Sequence, residues 1–175
     1  MEADVKFKFF WLFLAFFGFC GILFAQSKED AAFDKLRALA GEWTGTYTWT
    51  GARAASGKMD AQYYLTGNES AVVENLVVDA TPTMTSVYHR DGNDLRMTHF
   101  CGARNQPRLK ATAFGPGGSS VTFSFVDVTN LASPQAGHVH GFEIQFLSPD
   151  HITLKFHFVG AGKESDELID LTRKK

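Results

Sequence analysis

The sequence predicts an all-β fold: a single antiparallel up-and-down β-barrel of about ten strands, preceded by one short helix. Three observations carry this. Past position 41 the chain runs in alternating segments rich in β-branched and aromatic residues, Gly, Asn, Asp and Pro interrupt them at short intervals, and no second helical pattern separates them.

The chain begins with a stretch of different character. Residues 9–25 carry no charge; Lys6 and Lys8 precede them, and Gln26, Ser27, Lys28, Glu29 and Asp30 follow. This is the arrangement of an export signal, although its apolar length also approaches the ~17–25 residues of a membrane span. Ala25 suits cleavage. Leu23 is bulkier than the small residue preferred there, and Glu2 and Asp4 weaken the basic end. Residues 1–25 are therefore read as a signal peptide or N-terminal anchor, 26–32 as a linker and 33–175 as the barrel domain. Cys20 follows Phe19, which is too large for lipoprotein processing. The expected location is periplasmic or extracellular, with inner-membrane anchoring if the leader stays.

At 175 residues the chain has the length of one domain. The net charge of −2 arises from mixed signs, and the longest basic run is Arg173, Lys174, Lys175. That excludes a nucleic-acid surface. Without the leader Cys101 is the sole cysteine, so no internal disulfide can form and the domain relies on its core.

Within 29–39, Ala32, Phe33, Leu36 and Leu39 recur at helical spacing and Gly41 follows, which predicts one short helix. Strands are then expected at 42–50, 57–65, 70–79, 83–90, 94–101, 108–114, 119–128, 138–147, 151–159 and 167–173. The breaks at 66–69, 90–93, 115–118 and 148–150 hold residues suited to tight reversals. Consecutive short strands close most simply as an up-and-down barrel, with a sandwich as the alternative. The Ser-, Pro-, Ala- and Gly-containing segment 129–137 is the longest break and reads as a loop or lid.

The run Leu36-Arg37-Ala38-Leu39-Ala40-Gly41-Glu42-Trp43-Thr44-Gly45 resembles the opening of lipocalin-like (calycin-type) barrels, in which a short helix leads into Gly-x-Trp. That resemblance implies a basic side chain from the last strand lying over Trp43, and Arg173 is the candidate. Met97-Thr98-His99-Phe100-Cys101 with Asn105-Gln106-Pro107-Arg108-Leu109 looks like a segment of uncharacterised bacterial secreted proteins of the same architecture. The likeness spans roughly 33–174 and speaks to fold, which does not set function.

Strand parity places Leu95, Met97, His99 and Cys101 on one face, a mixed row suited to a cavity wall. His99 is either a polar anchor inside a ligand pocket or a satisfied buried histidine. Cys101 is a candidate lining residue; as a nucleophile it would have only His99 nearby in sequence. Asn105, Gln106 and Arg108 surround Pro107 in a turn, where amides and a guanidinium can hold an acidic group at the barrel mouth or merely cap the turn. His138 and His140 share a strand face, a spacing that can chelate zinc, iron or copper, with His99, His157 or Glu143 as the third ligand considered. Haem held through His157 or His99 is conceivable and ranks below a generic apolar ligand. No cofactor is expected from the sequence, zinc, iron and haem being the ones its histidines would accept.

The leading expectation is an exported module that holds a small, apolar or amphipathic molecule in the barrel, with polar anchors at one end. The alternatives are a metal- or His-dependent enzyme using His99, His138 and His140, and a structural or interaction protein with a filled barrel.

Overall fold

Strands with one apolar face must bury that face together, and in this chain they do so by closing a cylinder. The computed structural model describes residues 26–175; residues 1–25, expected above to be a signal peptide or N-terminal anchor, lie outside the described residues. Helix α1 (Lys28–Arg37) is followed by β1 (Gly41–Gly51), β2 (Ala55–Thr66), β3 (Ala71–Val78), β4 (Thr81–Asp91), β5 (Asp94–Phe100), β6 (Gln106–Phe114), β7 (Ser120–Thr129), β8 (His138–Ser148), β9 (His151–Gly160) and β10 (Lys163–Arg173). Each strand pairs antiparallel with its sequence neighbours and β1 pairs with β10, giving a closed ten-stranded barrel. A sandwich is excluded.

Most element ends lie within two residues of the sequence expectation, and two differences have a clear local cause. Helix α1 starts at Lys28, inside the expected linker, because Ser27 caps it by accepting a hydrogen bond from the Asp30 N–H at 3.0 Å and Glu29 and Asp30 favour the positive helix start. Ala32 is fully buried, so the folded unit begins before residue 33. Strand β10 starts at Lys163 rather than 167. Ala161 (φ 50°) and Gly162 (φ 69°) make a two-residue reversal that lets pairing resume at once.

The helix covers one end of the barrel. Ala32, Phe33 and Leu36 face inward, and Asp30 pairs with Arg90 of β4 at 2.7 Å. Trp43, with no exposed surface, donates its indole N–H to the Leu39 carbonyl at 2.8 Å and meets Tyr63 edge-on. The Arg173 guanidinium lies 4.4 Å above the Trp43 ring and donates to the Ala40 and Ala38 carbonyls at 2.9 and 2.8 Å. One cation thereby covers the aromatic face and satisfies carbonyls left open at the helix end. Gly41 is favoured by its φ of +135°, and a Cβ there would also lie 2.9 Å from Arg173 Nη1 and displace the guanidinium.

Above this closed end the interior is packed. Tyr88, Phe123, Phe142 and Phe156 form a chain of ring contacts across the barrel, with centroid separations of 5.9, 5.6 and 4.6 Å. Toward the opposite end, where β1 finishes and β10 begins, the interior keeps open space.

Candidate functional site

Four neighbouring strands place polar side chains on one cross-strand row inside the barrel: Tyr63 pairs with Glu74, Glu74 with Ser86, and Ser86 with His99. All four are buried. Buried polar groups need partners, and these supply one another. Glu74 accepts from Tyr63 at 2.7 Å and Tyr88 at 3.0 Å on one carboxyl oxygen, and from Ser86 at 3.0 Å on the other. Burial raises the Glu74 carboxyl above its ordinary value, and the three hydroxyl donors pull the other way. Burial, then the Glu74 charge, hold the Tyr63 and Tyr88 phenols well above theirs.

The same network sets the state of His99. Ser86 spends its proton on Glu74, so its oxygen accepts from His99 Nδ1 at 3.0 Å. This network assigns the proton to Nδ1 and leaves Nε2 with a bare lone pair that has no partner among the described residues. Burial lowers the His99 pKa to about 4, so the imidazole is neutral at physiological pH. Its ring lies 4.9 Å from that of Phe156.

Two residues beyond His99, on the same face, Cys101 reaches the open end. There a cavity of about 180 Å³ is walled by Trp49, Met84, Val139, Phe156 and Phe158, with Cys101, Glu167 and Arg53 as its polar members. Glu167 pairs in register with Trp49 on one side and Phe156 on the other and is only 3% exposed. Burial pushes its carboxyl up to about 7, against the opposing pull of the Trp49 indole N–H and the Arg53 charge. Burial also raises the Cys101 thiol, so it stays protonated at neutral pH, a poor state for a nucleophile.

Arg53, in the connection between β1 and β2, lies over the cavity. Its guanidinium stands 4.6 Å from the Trp49 ring and 4.2 Å from the Phe158 ring. Outside it is a shallower groove of about 400 Å³; Arg53, Ala103 and Phe158 belong to both spaces. The 129–137 loop edges this groove, held by Ala161 N–H to the Gln135 carbonyl at 2.9 Å and by Asn105 Nδ2 to the Gly137 carbonyl at 2.9 Å.

The residues singled out in the sequence divide between the two faces of the wall. His99 and Asn105 are interior and Cys101 lines the cavity; the Asn105 Oδ1 is buried without a partner among the described residues. Gln106 and Arg108 do not join them. Pro107 and Leu109 take the inward positions of β6, so Gln106 turns out to accept from Thr129 at 2.9 Å, and Arg108 forms a two-point ion pair with Asp127 at 2.5 and 2.6 Å on the outer surface. His138 and His140 also face outward, packed against Phe125, with His140 Nδ1 3.5 Å from His138 Nε2. The wall separates them from His99, so the three histidines of the enzyme alternative do not converge. His157 points outward to Asp166 at 2.9 Å and is no interior ligand. Glu143 accepts from Gln145, and among the described residues no group of three metal-ligating side chains forms around the histidine pair.

A surface recess of about 630 Å³ opens where β7 and β8 part beyond the Ser124–Gly141 pair. It is shallow, and its Lys155 and His157 are both engaged by Asp166.

Sequence reasoning missed Trp49, Arg53, Glu74 and Glu167. For the two acids a signal was present: Glu74 alternates with Val72 and Leu76, and Glu167 with Ile169 and Leu171, so each interrupts an inward apolar row.

No protein-family model matches the chain, and no curated protein is similar to it in sequence. Its architecture is similar to that of Rv2717c from M. tuberculosis, at 13% identity and a TM-score of 0.55 over 82% of this chain and 98% of that one. It is also similar to a protein of unknown function of the DUF3598 family from Nostoc punctiforme, at 10% identity and a TM-score of 0.54 over 79% of this chain. The match spans 49%, about half, of the Nostoc protein. At these identities the likeness is one of fold.

Proposed function

We propose that the protein is a small-molecule-binding module whose ligand enters the open end of the barrel and rests among Trp49, Met84, Phe156 and Phe158. The observation that carries this reading is the cavity itself. A barrel packed with aromatic rings over most of its length keeps about 180 Å³ of space at one end, beside a buried carboxylate. Concave, aromatic-walled sites with few polar groups are how barrels hold ligands. The space lies below the ~300–1,000 Å³ of sites for drug-sized molecules, so the ligand is small unless Arg53 moves aside. The protein is further proposed to be exported, on the charge-free stretch 9–25 and the basic residues before it.

Native mass spectrometry of the protein purified from its own host tests the first point, with Trp49 fluorescence as the readout in solution. A bound small molecule, displaced when Cys101→Phe fills the cavity, is the expected result. Protein that carries no small molecule and whose fluorescence and melting point ignore a fragment panel would refute it. Fractionation with N-terminal sequencing tests export; an intact N-terminus in the cytoplasm would refute that reading.

A further inference from the structure

We infer that the mouth cavity selects a small organic cation, an arylalkylammonium or guanidinium compound, and that the Arg53 guanidinium occupies the cation's place while the site is empty. The inference rests on the reading that this cavity binds a small molecule, and it names the class.

Three features converge on a positive charge. First, Trp49, Phe156 and Phe158 line one small space, and aromatic faces attract cations through the ring quadrupole. Second, Glu167 is buried at the wall between Trp49 and Phe156, and no described Lys, Arg or His nitrogen makes an ion pair with it. A neutral apolar guest would press hydrocarbon against Glu167 and remove what water reaches it, leaving the carboxyl either charged without a partner or forced to take up a proton. An anion would meet it directly. A cation gives it the missing charge and N–H donors.

Third, the protein already places a cation there. Arg53 sits on an exposed connection, makes no ion pair or side-chain hydrogen bond with any described residue, and stacks 4.2 and 4.6 Å from two of the three rings. Trp49 and Phe158 pack edge-to-face at 6.1 Å, and the guanidinium lies against both, so these rings already accept a cation on their outer side. Because Arg53 borders both the cavity and the outer groove, its swing joins the two spaces. A ligand whose charge replaces it therefore gains room for a longer tail lying toward Gln135 and Gly137.

Titration calorimetry with benzylammonium, benzyl alcohol and benzoate, on the wild type, Arg53→Ala and Glu167→Gln, tests this. Benzylammonium should bind at least about tenfold more tightly than the alcohol, by the strength of a desolvated cation–π contact. Arg53→Ala, on a surface loop, should bind it more tightly than the wild type because the resident competitor is gone. Glu167→Gln should erase the preference for the cation. Equal binding of the alcohol and the cation would overturn the inference and leave the binding reading standing. Tighter binding of benzoate would overturn it in favour of an anion held by Arg53. No binding of any of the three to either the wild type or Arg53→Ala would overturn both.

Discussion

Replacing Glu167 by Gln should stabilise the protein in alkali and leave it unchanged in acid. Burial raises this carboxyl from 4.5 to about 7. Between those values the folded protein holds a proton that the unfolded chain has released, so stability falls as pH rises through the window. Taken at 1.36 kcal/mol per unit of pKa, the rise amounts to roughly 3 kcal/mol, and nearer 2 with water reaching the carboxylate from the cavity. Gln has nearly the same shape, keeps an acceptor toward the Trp49 indole, and does not titrate. Urea unfolding of both proteins from about pH 4.5 to about pH 8 measures the difference; the other titrating groups are common to both and largely cancel. The stabilities should coincide at the acid end and separate by about 2–3 kcal/mol at the other, the variant being more stable. Parallel curves would show that Glu167 is ionised in the folded protein at ordinary cost, and the account of the cavity as a site short of one positive charge would lose its support.

The remaining predictions concern the interior and the closed end. His99, lowered by burial from 6.5 to about 4, binds its proton in the unfolded chain first, so stability is lost as pH falls through that window, by up to about 3 kcal/mol; urea unfolding of His99→Phe should show a flatter acid limb, and an unchanged limb would refute the neutral assignment. Glu74→Ala leaves the hydroxyls of Tyr63, Tyr88 and Ser86 buried without their acceptor, and should cost about 3–5 kcal/mol in denaturant unfolding; a loss under about 1 kcal/mol would mean that the three find other partners. Tyr63 and Tyr88 should ionise only when the barrel unfolds, so a base titration followed by tyrosinate absorbance should show a late step coincident with loss of far-ultraviolet circular dichroism. Arg173→Ala removes the cover of Trp43 and the donors to Ala38 and Ala40; a loss of about 2–3 kcal/mol and a weaker near-ultraviolet signal are expected, with Lys restoring only part because it lacks the planar fork.

The fold was legible because its signals are local. Alternation within a strand and turn residues between strands are written over a few positions, and the ten strands lie where those patterns put them, within a few residues at their ends. The site was legible only in part. The interior placement of His99 follows from its parity with Leu95 and Met97. The turn after Cys101 is at the mouth, but Arg108 was expected to reach in from it, and the inward seat went to Leu109. Nearness along the chain locates a turn; it does not decide which side of the wall a given side chain occupies once pairing resumes.

By itself, then, the sequence determined the architecture and the single short helix ahead of the first strand, because each depends on the conformational preferences of a few adjacent residues. Only the tertiary structure decided which residues meet. Arg53 joins Trp49 and Phe158, and Glu167 joins Phe156, through a register that runs from β1 across β10 to β9, over more than a hundred positions of chain. Register and closure are properties of the whole cylinder, set by packing all ten inner faces at once, and no local stretch carries them.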